Sequence, residues 1–305
     1  MLKDQRILVT GATGQVARPL AEYLSRDNEV WAAARFSDQS AKEELEAQGI
    51  NTVYFSMWEE DLSRLPDVDY VFHCGCNTDT KSPEEGVAQN AEGTGFLMQR
   101  YRSAKGFFHM SSSSVYALPE DPAALVKESD PLGGFSSYSP HYAMSKQSAE
   151  AVVRFLARQF KLPTIIARLD VAYGRHGHGG APVALVQFLR HGMPFVHASR
   201  GDSYCTPIHE TDIALQVESL IQKATVPATT VNLGGDEVVT MEEMYQYLAE
   251  LTGLEVKIVD KEKSTWEMTA LDNTLRKSLA GPCTISWKEG LREVLQSRHP
   301  DLVSN

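Results

Sequence analysis

The amino-acid sequence predicts an α/β protein, in which a doubly wound parallel sheet is joined to a smaller, interleaved C-terminal lobe. Three observations support this prediction. Short apolar segments alternate with segments of helical periodicity up to about residue 174. The apolar segments are nearly continuous, as is typical of parallel strands that helices cover on both faces. A glycine-rich turn directly follows the first apolar segment.

The elements of the first half follow one another at regular intervals. The run "RILVTG" (6–11) predicts the first strand, and "QVARPLAEYLSR" (15–26) repeats its apolar residues at helical spacing. By the same criteria, the other predicted strands are 29–34, 51–56, 68–75, 106–112 and 163–169. The other predicted helices are 41–49, a long one within 82–103, and one that begins near residue 142.

After residue 174 the regular alternation of predicted strands and helices ends. A loop at 174–182 is followed by predicted helices at 183–192, 211–222 and 240–253. Between the last two, "ATTVNLGG" (228–235) predicts a strand that returns to the main sheet. We therefore expect one domain over 1–174, with the late strand added to it, and a smaller lobe mainly over 175–305.

Composition excludes several classes of function. The chain has 305 residues and a net charge of −11, so no basic excess is present to neutralise the phosphates of a nucleic acid. No apolar run approaches the roughly 20 residues of a membrane helix, and no signal peptide precedes the first strand. The four cysteines form no C-x-x-C pair, and the loop "RHGHGG" (175–180) lacks further ligands. We expect a cytoplasmic protein without a metal site, and a loop that covers a substrate.

The glycine-rich turn is "TGATGQVA" (10–17), between the first strand and the first helix. Gly11 and Gly14 allow a tight turn and a close approach of the backbone to a ligand. The helix that follows offers unpaired N–H groups and a positive dipole end to a phosphate. This strand, turn and helix predict a dinucleotide site. Its residues in the turn are Gly11, Thr13, Gly14, Gln15 and Val16.

A second pattern lies in "YAMSK" (142–146), at the start of a predicted helix. Residues four apart share one face of a helix, so Tyr142 and Lys146 present a phenol and an ammonium side by side. Taken alone, Tyr-x-x-x-Lys is a weak pattern, and a surface pair is the alternative. The other motifs of the sequence decide between a catalytic pair and a surface pair.

With these motifs in place, the sequence resembles the extended short-chain dehydrogenase/reductase family, which includes NAD-dependent epimerases and dehydratases. The likeness covers nearly the whole chain and implies a Rossmann fold. The motifs that carry it are "TGATGQVA", "VFHCGCNT" (71–78), "NAEGT" (90–94), "HMSSSSVYA" (109–117), "YAMSK", "ARLDVAYG" (167–174), "PIHETDIA" (207–214) and "NLGGDEVVTMEEM" (232–244). The resemblance also implies a homodimer, formed through the helices within 82–103 and 142–160.

The resemblance assigns the catalytic residues. Tyr142 is the general acid/base, and Lys146 lowers the pKa of its phenol from about 10 and binds the nicotinamide ribose. The serine partner of the family lies three residues before the valine of Val-Tyr, which is Ser112 here. Asn90 opens the N-x-x-G-T pattern; its role is either purely structural or catalytic, and we count it among the expected cofactor-binding residues. Cys74 lies in the turn beneath the cofactor as a small packing residue.

Departures from the family patterns narrow the range of expected reactions and substrates. Ser113 and Ser114 stand where dehydratases carry Asp-Glu, so we expect no elimination of water. Val171 replaces an asparagine and Cys205 an arginine of the nucleotide-sugar enzymes, and Arg200 lies nearby as a candidate to replace that arginine. The expected substrate-lining residues are Ser113, Ser114, Val171, Arg175 and His176.

We therefore expect an oxidoreductase that interconverts a secondary alcohol and a ketone in a small molecule other than a nucleotide sugar. The alternative is a nucleotide-sugar epimerase that retains NAD. A third class, a cofactor-sensing protein, is disfavoured because Ser112, Tyr142 and Lys146 are all present.

The end of the second strand bears on the choice of cofactor. NAD-specific sites usually carry an acid there, bonded to the ribose 2′-hydroxyl, whereas this sequence has Ala34 followed by Arg35. A guanidinium can pair with a 2′-phosphate. Ser56 also replaces the acid that many relatives use for the adenine. The sequence thus favours NADP(H), with NAD(H) as the alternative.

Overall fold

The structure, a computed structural model, describes residues 1–134, 141–197, 201–259 and 267–303. Its centre is a seven-stranded parallel sheet with the strand order β11-β6-β5-β4-β1-β2-β3. The strands are β1 (Arg6–Thr10), β2 (Glu29–Ala34), β3 (Asn51–Tyr54), β4 (Tyr70–His73), β5 (Gly106–Ser112), β6 (Thr164–Leu169), β7 (Ala172–Tyr173), β8 (Phe195–Val196), β9 (Tyr204–Cys205), β10 (Ile208–His209), β11 (Thr229–Leu233), β12 (Val239–Thr240) and β13 (Ile258–Val259).

Helices cover both faces of this sheet. The α-helices of the described residues, some of which belong to the second half of the chain and not to this sheet, are α1 (Ala17–Leu24), α2 (Gln39–Ala47), α3 (Pro83–Val87), α4 (Gly93–Arg100), α5 (Tyr142–Phe160), α6 (Ala181–Arg190), α7 (Glu210–Ile221), α8 (Met241–Thr252), α9 (Thr274–Ala280) and α10 (Trp287–Arg298). The strand order 3-2-1-4-5-6 reverses between β1 and β4, which is the arrangement of a Rossmann fold. The fold class predicted from the sequence is confirmed.

The strands are held because both of their faces are buried. Phe107 and Phe108 are adjacent on β5 and point to opposite faces, yet neither is exposed, and Ile165 and Ile166 on β6 repeat the pattern. Burying each such side chain contributes about 1.5–3 kcal/mol. The continuous apolar runs in the sequence follow from this double coverage.

The long helix predicted within 82–103 is interrupted. A π-helical turn at Ala88–Glu92 separates α3 from α4. The side chain of Asn90 explains the interruption, because it bonds both to the backbone of Asn77 and to Ser145 on α5. The helix thus deviates where a long-range contact requires it.

The second half of the chain is divided between the sheet and a separate core. Strand β11 pairs with β6, as predicted, and α7 packs on the sheet through residues such as Ile213 and Val217. A second apolar core joins α6, α8 and α10 through residues such as Leu185 and Leu248. The boundary at 174/175 remains a prediction. No helix in the described residues is long and apolar enough to cross a membrane.

Candidate active site

The glycine-rich turn lies at the carboxyl end of β1 and has the shape of a phosphate-binding loop. Gly11 has a φ of +73°, and a Cβ added to it would lie 2.9 Å from the Cα of Gly75. A Cβ on Gly14 would lie 3.0 Å from the carbonyl oxygen of Gly11. Helix α1 begins three residues after Gly14 and directs its N-terminal end at this turn. The geometry fits a dinucleotide, whose pyrophosphate the free N–H groups would bind.

A cleft extends from this turn across the ends of β2, β3 and β4. Its lining includes Thr13, Ala34, Arg35 and Cys76. Arg35 is exposed, and it has no carboxylate partner among the described residues. Of the two cysteines after β4, Cys76 lines the cleft, whereas Cys74 packs against the core, where burial raises the pKa of its thiol to about 12. Cys74 is therefore a neutral packing residue.

Lys146 is the buried centre of the predicted catalytic pair. Its residue exposure is 3 %, and its Nζ donates to the carbonyl oxygen of Met110 at 2.7 Å and lies 5.9 Å from the centre of the Tyr142 ring. Burial lowers the pKa of Lys146. The neighbouring Cys76, Tyr142 and Cys74 together raise that pKa by more, so the net direction is upward. The side chain is therefore a fixed ammonium beside the phenol.

Ser112 ends β5 in the same crevice. Its Oγ accepts hydrogen bonds from the backbone N–H of Ser114 at 3.2 Å and from the Ser114 hydroxyl at 3.0 Å. A hydroxyl has two acceptor sites and one proton. Because both acceptor sites of Ser112 are occupied, its own proton is directed to another acceptor. This polarity suits a substrate oxygen beside the phenol of Tyr142.

The amide of Asn90 is fully used within the fold. Its Oδ1 accepts from the N–H of Asn77 at 2.8 Å, and its Nδ2 donates to the carbonyl oxygen of Asn77 at 2.8 Å and to Ser145 Oγ at 3.0 Å. Both of its donor protons have partners, so the side chain has none for a ligand. These bonds give Asn90 a structural role between α5 and the turn after β4, and a role toward the cofactor stays a prediction.

Asp170 is a residue of this crevice that the sequence analysis missed. It follows β6, accepts from Ser113 Oγ at 3.0 Å, and accepts from the backbone N–H and the hydroxyl of Thr206 at 2.6 and 2.7 Å. Burial raises the pKa of its carboxyl to about 6, against the opposing effect of these hydrogen bonds. It has no cationic partner among the described residues. The signal was available, since "ARLD" puts an acid at the carboxyl end of a parallel strand.

The remaining predicted substrate residues divide into two groups. Ser113 and Ser114 lie beside Ser112, as their bonds to Asp170 and Ser112 show. Val171 and Cys205 have 7 % and 0 % exposure and belong to the second apolar core. Arg200 lies outside the described residues.

The loop at 175–180 packs against the cofactor end of the crevice. Arg175 Nε pairs with Glu210 at 3.0 Å, and His176 Nε2 lies 3.4 Å from Glu22 on α1. A Cβ on Gly177 would lie 2.9 Å from the backbone nitrogen of Gln15. Arg298 of α10 donates to the carbonyl oxygen of Arg175 at 2.5 Å. The loop thus closes on the glycine turn, and the side chains of Arg175 and His176 point to carboxylates.

Comparisons with known proteins agree with this architecture. The chain is 24 % identical over 286 residues to a Bacillus subtilis protein described as an uncharacterized UDP-glucose epimerase, YtcB. The match covers 86 % of this chain and 88 % of that protein. It is 24 % identical to GDP-mannose 3,5-epimerase of Arabidopsis thaliana, over 95 % of this chain and 81 % of that protein.

Solved structures share the fold. UDP-glucuronic acid 4-epimerase of Bacillus cereus, in complex with UDP-glucuronic acid and NAD, superposes with a TM-score of 0.82 at 21 % identity over 97 % of this chain and 99 % of that one. dTDP-glucose 4,6-dehydratase of Bacillus anthracis, in complex with NAD, superposes with a TM-score of 0.80 at 18 % identity over 97 % of each chain. The family model for NAD-dependent epimerases and dehydratases matches residues 7–234, which is more than half of the 305 residues. The chain belongs to the NAD dependent epimerase/dehydratase family.

Proposed function

We propose that the protein is an NAD-dependent epimerase that inverts one secondary alcohol carbon of a nucleotide-linked sugar. The observation that carries the proposal is the buried ammonium of Lys146 beside the ring of Tyr142, at the carboxyl ends of the strands that form the dinucleotide site. The sugar class comes from the relatives, which are named as epimerases of UDP- and GDP-linked sugars.

Three residues of the crevice have a defined task in this reaction. Tyr142 takes the proton of the substrate hydroxyl, and the ammonium of Lys146 stabilises the phenolate that performs this step. Ser112 donates its proton to the same substrate oxygen and holds it beside the phenol. A bound dinucleotide would supply a hydride acceptor for the substrate carbon, and afterwards a hydride donor to the opposite face of the resulting ketone, which inverts the centre. In the return step Tyr142 gives the proton back.

The relatives favour this alternative over a substrate that is not a nucleotide sugar. One set of observations still favours a second candidate, an NADP(H)-dependent reductase of another carbonyl compound. Val171 and Cys205 stand where the nucleotide-sugar enzymes have an amide and a cation. Neither side chain carries such a group, and both are buried in an apolar core. Arg35 lies in the cofactor cleft without a carboxylate partner in the described residues and is suited to a 2′-phosphate.

Product analysis separates the two candidates. The wild type is incubated with NAD and UDP-glucose, UDP-glucuronic acid or GDP-mannose, and the sugars are resolved by NMR. The epimerase forms a new sugar epimer without net accumulation of reduced cofactor. Net stoichiometric consumption of NADPH with a simple ketone, and no epimer from any nucleotide sugar, would replace the epimerase with the reductase. The role of Tyr142 is tested by the loss of epimer formation in Tyr142→Phe. Tyr101→Phe, at a buried tyrosine outside the crevice, is the matched control for that variant.

A further inference from the structure

Trp58 stands out among the large apolar side chains of the described residues. Its exposure is 59 %, and only Met1 and Phe155 are more exposed in that class. It follows β3 and lines the cofactor cleft. An indole that is exposed inside a ligand cleft offers a flat face to a ligand and not to the core.

The turn that carries Trp58 is held in place from two sides. The backbone N–H of Glu59 donates to the carbonyl oxygen of Ser56 at 3.1 Å, which makes Met57 and Trp58 the central residues of a turn. The carbonyl oxygen of Met57 abuts Gly93 at the start of α4, where an added Cβ would lie only 2.6 Å from it. The glycine of "NAEGT" thus lets the turn pack closely and holds the backbone that carries the indole.

The surroundings of Trp58 have a distinct chemistry. Ala34 and Phe55 are 6 % and 5 % exposed and form an apolar floor. Arg35 adds a cation at the edge, and Trp58 adds an aromatic wall. Position 56 holds a serine that is 7 % exposed, so this position has no carboxylate to accept a hydrogen bond from the amino group of a base. These features suit a flat heteroaromatic ring that carries an anionic group beside it.

We propose that Trp58 stacks on the adenine of the dinucleotide and is a main determinant of cofactor affinity in this chain. The inference rests on the dinucleotide site of the proposed function. The cleft is continuous from the glycine turn, where the pyrophosphate binds, to the ends of β2 and β3, where the adenosine half of a dinucleotide lies. Stacking on Trp58 supplies the recognition of the base that a carboxylate supplies elsewhere.

The test compares ligands that contain adenine with one that lacks it. The dissociation constants of NADH, AMP and nicotinamide mononucleotide are measured by calorimetry for the wild type, Trp58→Ala and Trp58→Phe. Loss of a base–aromatic stack predicts about 5- to 150-fold weaker binding of NADH and AMP to Trp58→Ala. Binding of nicotinamide mononucleotide stays unchanged, and Trp58→Phe retains most of the affinity for AMP. Energy transfer from Trp58 to bound NADH disappears in Trp58→Phe.

Each outcome decides the matter. Unchanged NADH affinity in Trp58→Ala overturns the inference while the dinucleotide site stands. Equal losses for AMP and nicotinamide mononucleotide show general damage to the cleft and also overturn it. A wild type that binds neither NADH nor NADPH refutes the dinucleotide site of the proposed function itself. Because the indole is mostly exposed, the melting temperature of Trp58→Ala should match that of the wild type.

Discussion

Lys146 donates a 2.7 Å hydrogen bond from its ammonium to the carbonyl oxygen of Met110 on β5. The bond joins α5, which carries Tyr142, to the strand that ends in Ser112. The three side chains that the proposed reaction needs are therefore fixed relative to one another by one buried contact. The same side chain places its ammonium 5.9 Å from the centre of the Tyr142 ring.

Replacing Lys146 should damage chemistry and stability together. Lys146→Met leaves the carbonyl of Met110 without its donor, which costs about 1–3 kcal/mol of unfolding free energy. Loss of the ammonium raises the pKa of Tyr142, so the pH at which turnover is half-maximal should move upward. Urea unfolding and a pH–rate profile measure both effects. Lys223→Met, at an exposed lysine, is the control, and an unshifted profile in Lys146→Met would remove Lys146 from its role.

Asp170→Asn should make stability less dependent on pH. The pKa of Asp170 is about 6 in the folded protein and near 3.8 when unfolded, so the folded state binds the proton more tightly. Its contribution to stability is therefore present below pH 4 and is lost as pH rises through 6. The asparagine stays neutral, and relative to wild type it should gain about 2–3 kcal/mol between pH 4 and pH 7.

The hydrogen bonds allow this substitution. The amide oxygen of the asparagine can accept from Thr206, and its NH₂ can donate to Ser113 Oγ. Unfolding is followed by circular dichroism across that pH range, with Asp27→Asn at an exposed aspartate as the control. A stability difference between Asp170→Asn and wild type that does not change with pH would contradict the shifted carboxyl.

Arg35 tests the choice of cofactor. If it binds a 2′-phosphate, Arg35→Ala loses about 1.5–3 kcal/mol of affinity for NADPH and little for NADH. Titration of both reduced cofactors against wild type, Arg35→Ala and the exposed control Arg102→Ala measures this. Equal affinities in the wild type, or no change on removing Arg35, would end the preference for NADP(H) and leave NAD as the cofactor of an epimerase.

The proposed homodimer has a candidate surface on α4 and α5. Phe155 is 64 % exposed, and Phe96 and Met144 are each 37 % exposed on the same two helices. An apolar surface on helices is commonly covered by a partner. Phe155→Glu should shift light scattering from dimer to monomer, whereas Leu275→Glu on α9 should not. A wild type that is monomeric at micromolar concentration contradicts the dimer.

The sequence predicted the parts of the fold that have a local or periodic cause. The buried runs of β1, β5 and β6 and the glycine turn each leave a pattern within a few residues. The π-helical turn at 88–92 does not, because the bonds of Asn90 to Asn77 and Ser145 define it across 13 and 55 residues. Two-residue strands such as β8 and β9 are too short for a period.

The candidate site also has residues that local motifs identify and residues whose partners are distant in the sequence. Motifs alone name Ser112, Tyr142 and Lys146 as candidates, and their catalytic roles stay predictions. The role of Asp170 depends on Ser113, 57 residues before it, and on Thr206, 36 residues after it, so no window of sequence contains the site. Arg175 and His176 were predicted to contact substrate, but their carboxylate partners Glu210 and Glu22 come from other segments of the chain.

The most direct test of the central claim is the turnover of Tyr142→Phe on UDP-glucose or another nucleotide sugar that the wild type converts. General acid/base groups contribute roughly 10²–10⁴-fold, so epimer formation, followed by NMR, should fall by at least about 10²-fold while the affinity for NADH is kept. Tyr101→Phe should retain wild-type turnover. Turnover of Tyr142→Phe above about a tenth of the wild-type rate would show that another group moves the proton.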